Sequence, residues 1–475
     1  MNPLASRRFT PEDQQAFARF SGDWNPMHLD PVAARRTQAG EAVIHGVGGL
    51  LWALDRLAGE QRGPIARVRA QFRKFIYLDR PVDLHVVRSS AEEIVAELRS
   101  DGLTATAITV TLGEPAGAVL ESWEDLPPTP LDRSPRVPSL EQMGALSGWV
   151  VPPAADAGAS GMFPVLCGHL GAGRVLAVAQ MSTVVGMACP GLHSIFTELD
   201  FEAVTGDAPR PGLGWRAERP DPRYARIDLR FGGSGVRGAA RALVRPAPVD
   251  PPTMASLADK VSPGEFAGRQ ALIIGGSRGL GAVTAKLLAA GGARTWVTYL
   301  TGAAEAQAVV ADIGAAGGRA TAIGCDIDGD LGAQLAGALP EASHIYYFAT
   351  PGIFRQSADA FSTDRFEAFS QAYVGRFNNL CRLAYAARDG RALNVFYPST
   401  VAITDRPRGM AEYAASKAAG EVLCADLVKA HAGLAITAPR LPRVLTDQTA
   451  SALPIRAADA VDVMLPLLRA ERGPP

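Results

Sequence analysis

The stretch QALIIGGSRGLGAVTAKLLAAGGARTWVTYL, residues 270–300, decides the fold of the C-terminal part of the chain. A short apolar run is followed by a turn carrying Gly275, Gly279 and Gly281, then by a helical stretch and a second apolar run. Strand, glycine turn, helix and strand in that order open a parallel sheet wound by helices. Downstream, RATAIGCDI (319–327), HIYYFAT (344–350), RALNVFYPST (391–400) and GLAITAPR (433–440) are further short apolar runs separated by helical stretches. Alternating β and α of this kind predicts a doubly wound α/β domain of Rossmann type.

Upstream the character changes. Two proline-rich seams, residues 124–139 and 245–265, read as inter-domain linkers or long connections. They divide the chain into residues 1–126, 140–248 and 264–475. In the first segment VIHGVGGLLWALDRLAG (43–59) places Val47, Leu50, Leu51, Leu54 and Leu57 at helical spacing. IARVRAQFRKFIY (65–77), VDLHVVR (82–88) and ATAITVTL (105–112) then alternate as strands. The second segment repeats the plan: VLAVAQMSTVVGM (175–187) is a helix, followed by LHSIFTELDFEAV, YARIDLRF and VRGAARALVR as strands. A helix followed by antiparallel strands, twice over, predicts two copies of one α+β unit.

The bulk numbers exclude several classes. At 475 residues, 47% apolar and 20% charged, the chain has a globular balance, and its net charge of −1 gives no reason to expect nucleic acid. Residues 175–197 lack Asp, Glu, Lys and Arg, yet Gln180, Ser182, Thr183 and the Pro190–Gly191 pair break the run, so no membrane insertion is expected. The N-terminus has no apolar run of signal-peptide type. Five cysteines, Cys167, Cys189, Cys325, Cys381 and Cys424, show no metal-ligand spacing and read as reduced thiols of a cytoplasmic protein.

SGDWNPMHLD (21–30) sets Asp23 and His28 around a proline, and VIHGVGG (43–49) follows at a fixed distance. By composition the first stretch is a turn capping the next segment. Together the two stretches resemble the MaoC-like (R)-specific enoyl-thioester hydratases, whose hotdog fold wraps an antiparallel sheet around one helix. The resemblance implies that Asp23 and His28 hold a water for addition to an unsaturated thioester, with Asn25 orienting them. Backbone amides at Gly46, where the helix opens, would face the developing enolate oxygen. It leaves His45 a structural role. Residues 140–248 have no counterpart of Asp23 and His28, so they are expected to be a non-catalytic second hotdog repeat, with His193 a sheet or interface residue.

In the third segment GGSRGLG (275–281) and YAASK (413–417) resemble the short-chain dehydrogenase/reductase family. The glycines permit close approach of backbone amides to a pyrophosphate at a helix N-terminus. The resemblance implies contacts to a dinucleotide from Gly275, Ser277, Arg278, Gly279, Leu280, Gly281, Tyr299, Asp326, Ala349 and Thr446. Tyr413 would be the proton donor, Lys417 would lower its pKa and bind the ribose, and Thr400, with Ser399 beside it, would hold the substrate carbonyl. The family's helical Asn falls on Ala372. The second strand ends at Tyr299–Leu300 without a carboxylate and Arg278 stands in the turn, so NADP(H) is the expected cofactor.

The expectation is a multidomain α+β and α/β chain, two hotdog repeats followed by a Rossmann domain. It would reduce 3-ketoacyl thioesters with NADPH and dehydrate the (R)-3-hydroxyacyl product. The alternatives are an oxidative enoyl-CoA hydratase/3-hydroxyacyl-CoA dehydrogenase pair, a hydratase with a degenerate dinucleotide-binding or scaffolding domain, and a non-enzymatic carrier-protein docking partner with residual ligand pockets. The acyl thioester, on CoA or on an acyl carrier protein, is the expected partner, no metal is called for, and a homodimer is the oligomer both families allow.

Overall fold

A computed structural model of the chain describes residues 2–60, 63–117, 123, 125–152, 159–205, 210–353, 361–447, 449 and 456–471. The chain forms two compact units, centred on Met1–Ala247 and on Pro248–Ala450 with Ile455–Pro475.

The first unit is a ten-stranded antiparallel sheet around two buried helices. Its strands are β1 (Ala5–Arg8), β2 (Ile65–Phe72), β3 (Pro81–Ser89), β4 (Glu93–Ser100), β5 (Leu103–Leu112), β6 (Ser147–Val150), β7 (Ser194–Ala203), β8 (Leu213–Ala217), β9 (Arg226–Gly233) and β10 (Val236–Val244). They lie in the order β1-β3-β4-β5-β2-β7-β10-β9-β8-β6. The order 3-4-5-2 of one half thus recurs as 8-9-10-7 in the other. The halves join where β2 pairs with β7, Val68 opposite Phe201 and Ala70 opposite Leu199 on the buried face. On the outer face Arg67 and Arg69 both bond Asp200.

Helix α1 (Pro11–Ser21) opens on a capping box in which Thr10 and Asp13 satisfy each other's amides, and it stops at Gly22, whose φ of 90° is left-handed. That stop delivers Ser21, Gly22 and Asp23 into the interior. Helix α2 (Gly46–Ala58) is apolar on nearly every side because the sheet wraps it, with Val47, Leu50, Leu51 and Leu54 wholly buried. Burial of each such leucine stabilises the fold by about 1.5–3 kcal/mol. The second half has its own buried helix, α3 (Ala172–Thr183), which widens into a π turn over Val184–Ala188. The proline-rich seam after residue 124 does not hang free: Trp149 accepts from Thr129 N–H and donates to the Pro127 carbonyl, and Arg136 N–H donates to the Met187 carbonyl. No single helix among the described residues is long and apolar enough to cross a membrane.

The second unit has a six-stranded parallel sheet: β11 (Gln270–Ile274), β12 (Arg294–Tyr299), β13 (Arg319–Gly324), β14 (His344–Tyr347), β15 (Leu393–Phe396) and, after the short β16 (Ser399–Thr400), β17 (Leu434–Thr437). The order β13-β12-β11-β14-β15-β17 is the doubly wound 3-2-1-4-5-6 arrangement, with its switch point between β11 and β14. The central strands β11 and β14 are buried almost throughout because both faces are covered, while the edge strand β13 is half exposed. Helix α4 (Gly279–Ala290) follows the glycine turn, and α5 (Ala411–Ala430) carries Tyr413 and Lys417.

Candidate active sites

In the first unit the loop after α1 is built from side-chain caps. Asn25 N–H donates to Asp23 Oδ1 at 3.1 Å, and Asn25 Oδ1 accepts from Met27 N–H at 3.1 Å, starting one helical turn at Pro26. Asp30 caps the next turn through Val32 N–H at 2.8 Å. The capping reading of this stretch therefore holds, and the same turns fix two titratable groups. His28 Nδ1 donates to the Val43 carbonyl at 2.8 Å, which leaves Nε2 with its lone pair. Burial, with Arg245 nearby, pushes the His28 pKa down against the pull of Asp23. Burial pushes Asp23 up, opposed by His28, Ser182 and Asn25.

Donor atoms of Asp23, His28 and His45 all lie within 4.8 Å of one another. Two hydrogen bonds of about 2.8 Å through one water span about 4.6 Å, so a single water fits between Asp23 and His28. His45 is spent on structure, as expected. Its Nδ1 lies 2.9 Å from Gln14 Oε1, its Nε2 lies 3.1 Å from the Asp23 carbonyl, and its ring stacks on His28 at 4.0 Å. At Gly46 the helix opens without a side-chain cap.

Sequence reasoning missed the second half's share of this site. Ser182 Oγ donates to Asp23 Oδ2 at 2.6 Å, and Thr183 Oγ1 donates to the Ser21 carbonyl at 2.5 Å. Asn25 Nδ2 donates to the carbonyls of Gly186 and Gly191 at 2.9 and 3.3 Å. A Cβ on Gly186 would sit 2.5 Å from Asp23 Oδ1. His193 is not a sheet residue: it ends the turn Gly191–His193 ahead of β7, half-buried, with Arg245 pushing its pKa further down than burial alone does. A serine inside an apolar run carries no local sign of such a contact.

In the second unit the expected residues gather at the carboxyl edge of the parallel sheet. Gly275, with φ of 81°, lies so close to β14 that a Cβ would come 3.0 Å from Ala349 N. Gly279, with φ of 54°, faces Thr446, whose methyl a Cβ would meet at 3.8 Å. Ser277 and Leu280 flank this turn, and Arg278 precedes α4 without capping it through its side chain. The turn thus presents uncapped amides and a left-handed backbone, which fits a pyrophosphate. The Arg278 guanidinium lies 3.5 Å from Asp447. Tyr299 ends β12, and Leu300 beyond it is exposed. Asp326 is exposed after β13 and caps its own turn through Asp328 N–H at 2.9 Å.

The Thr400 hydroxyl acts on Tyr413, pulling its pKa down, while Ser399 turns the other way and donates to Glu421, itself paired with Arg440. Alternation along β16 separates them, so Thr400 and not Ser399 meets the tyrosine. Lys417 is held by the protein's own groups. Its Nζ donates to the Pro398 carbonyl at 2.7 Å and stands 3.8 Å from the Tyr373 ring centre and 4.6 Å from that of Tyr397. Burial pushes Lys417 down to about 7, and burial likewise raises Tyr413, with Thr400 opposing. At Ala372 the helix passes through a π turn, and the Ala372 carbonyl accepts from Tyr347 Oη at 2.7 Å.

These two sites agree with the family matches. Residues 2–99 match the MaoC like domain family and residues 269–451 match the short chain dehydrogenase family. A mitochondrial 3-hydroxyacyl-[acyl-carrier-protein] dehydratase of Arabidopsis thaliana is 43% identical over 42 residues, 9% of this chain and 25% of that protein. An uncharacterized oxidoreductase of Methylorubrum extorquens is 47% identical over 60 residues, 13% of this chain and 24% of that protein. The matches span about a quarter of the length of each curated relative. Among solved structures, a short chain dehydrogenase from Burkholderia cenocepacia in complex with NADP is 29% identical, with 43% of this chain and 90% of that chain covered and a TM-score of 0.35. A 3-oxoacyl (acyl-carrier-protein) reductase from Agrobacterium tumefaciens with NADP bound is 23% identical, with 38% and 73% covered and a TM-score of 0.36. The chain carries a MaoC-like dehydratase domain at its N-terminus and a short-chain dehydrogenase domain at its C-terminus.

Proposed function

We propose that the chain reduces a 3-ketoacyl thioester and dehydrates the resulting (R)-3-hydroxyacyl thioester. The observation that carries this reading is the approach of Asp23 and His28 donor atoms to within 4.8 Å, in a motif of the dehydratase type. In the hydration direction, a water between them gives a proton to the Asp23–His28 pair as its oxygen bonds C3. The displaced electron pair moves onto the thioester oxygen, opposite the amides at Gly46. C2 then takes a proton from the pair, so the protein ends unchanged. Dehydration is the same path reversed.

In the second unit Thr400 and Tyr413 would hold the ketone oxygen, and Tyr413 would give it a proton as C3 is reduced. The glycine turn would hold the pyrophosphate of a nicotinamide dinucleotide, which when bound would supply the hydride. Lys417 would hold the ribose and return a proton to Tyr413. NADPH is favoured because the second strand ends without a carboxylate and Arg278 stands in the turn. The recurrence of one strand order in both halves of the first unit supports a second hotdog repeat over residues 140–248, without catalytic residues of its own and beside a catalytic repeat over 1–126. The Rossmann domain would then occupy 264–475.

The test is product analysis by mass spectrometry, with 3-ketoacyl thioesters on CoA and on acyl carrier protein supplied with NADPH. Enoyl thioester in the products supports both activities acting in turn. Hydroxyacyl product alone, together with failure to hydrate crotonyl-CoA, would remove the dehydratase.

A further inference from the structure

We infer that Ser182, on a helix of the half that lacks an acid–base pair, is a positioning residue for Asp23. The inference rests on the hydratase reading of that site. Asp23 is 1% exposed and Ser182 4% exposed, so the hydroxyl and the carboxylate meet out of water. Their 2.6 Å contact is short, as bonds from a hydroxyl to a carboxylate are. A serine inside a helix ordinarily bonds back to the carbonyl four residues before it. Ser182 instead spends its proton outward, on a residue 159 positions away.

The rest of the helix is shaped to the same carboxylate. Gly186, in the π turn that follows, is where any Cβ would strike both Asp23 oxygens, at 2.5 and 2.7 Å. A hydroxyl is therefore placed on Oδ2, and a side chain is missing where it would strike both oxygens. The groups facing Asp23 are Asn25 N–H on its own loop, Ser182, His28, and His45 Nε2 at 3.9 Å, with Arg245 acting on His28. Ser182 is the one hydroxyl among the described residues that bonds this carboxylate. It fixes which oxygen turns toward the water and holds the group in its ionised form.

The experiment is the pH profile of kcat/KM for hydration of crotonyl-CoA by the full chain. Loss of a bond to a charged acceptor raises the acceptor's pKa, so Ser182→Ala should move the acid limb up by about one unit. kcat should fall about tenfold with KM within about twofold, the pattern of an interaction that matters in the transition state. Ser182→Thr, which keeps the hydroxyl, should restore the limb. Thr183→Val is the control: it removes the bond from the same helix to Ser21, so it should lower the melting temperature and leave the limb in place. A limb unmoved in Ser182→Ala, or moved equally in Thr183→Val, overturns the inference while the hydratase reading stands. A parent that does not hydrate any enoyl thioester removes that reading and this inference with it.

Discussion

The Lys417 ammonium lies 3.8 Å from the centre of the Tyr373 ring, over its π face. Tyr373 follows Ala372, the position where the family resemblance expects an asparagine. The aromatic face gives a desolvated cation about 2 kcal/mol of attraction. That offsets part of the burial that pushes Lys417 from 10.5 down to about 7.

A stability prediction follows from that shift. Between about pH 7 and 10.5 the folded chain binds less of this proton than the unfolded chain does. Stability therefore falls as the pH drops through that window. Methionine has the length without the charge. Lys417→Met should raise the melting temperature of the C-terminal unit at pH 7, with the gain shrinking toward pH 10, while reduction collapses. Melting curves at both pH values check it; no gain at pH 7 would mean that the aromatic cage fully compensates the buried charge.

Thr400 and Ser399 separate cleanly. Because the Thr400 hydroxyl acts on Tyr413 and Ser399 bonds Glu421, Thr400→Val should lower ketone reduction roughly tenfold or more and Ser399→Ala about twofold at most. Tyr413→Phe should lower it at least roughly a hundredfold and leave NADPH binding intact. Steady-state rates with a 3-ketoacyl thioester, beside a fluorescence titration of NADPH, decide the assignment.

How much of this was legible depends on whether a residue's role is local. The glycine turn at 275–281 and the Tyr413–Lys417 spacing are local, and they stand where the pattern puts them. Alternation marked β2, β9 and β10. β6 and β8 escaped because they are short and carry Gly148 and Gly214, where Thr129 of the proline-rich seam and Trp123 just before it fill the room of a side chain. β1, with its Arg7 and Arg8, is an edge strand with no apolar signal. Ser182 and Gly186 gain their meaning only from a loop some 160 residues earlier, which no local pattern encodes.

Asp23→Asn and His28→Ala should each cost hydration at least roughly a hundredfold and spare ketone reduction. The pH profile is the sharper test. Burial holds His28 below its usual 6.5 and Asp23 above its usual 3.8. Hydration should therefore rise with pH on a limb above the ordinary carboxylate range, with no separate histidine limb at 6.5. Gly186→Ala should lower kcat as well, because its methyl has no place beside the Asp23 oxygens.

Arg278 stands 3.5 Å from Asp447, and a guanidinium can serve a carboxylate and a phosphate together. Arg278→Ala should raise KM for NADPH about tenfold and leave KM for NADH within about twofold, as loss of a charged phosphate contact does. An unchanged ratio between the two cofactors would leave the choice to other residues.

Stereochemistry tests whether the two domains act in sequence. The dehydratase motif resembles a family that makes and consumes the (R)-3-hydroxyacyl isomer. In the proposed reduction Thr400 and Tyr413 would hold the ketone oxygen from one side, on elements fixed by the sheet, so hydride would reach one face of C3. A shared intermediate requires that this face yield the isomer the dehydratase accepts. In the Asp23→Asn chain the intermediate cannot lose water, so it should accumulate from a 3-ketoacyl thioester and NADPH. Hydrolysis followed by chiral chromatography should show the (R)-3-hydroxy acid in large excess. A predominantly (S) product would mean that the reductase does not feed the dehydratase, and the two domains would then serve different substrates on one chain.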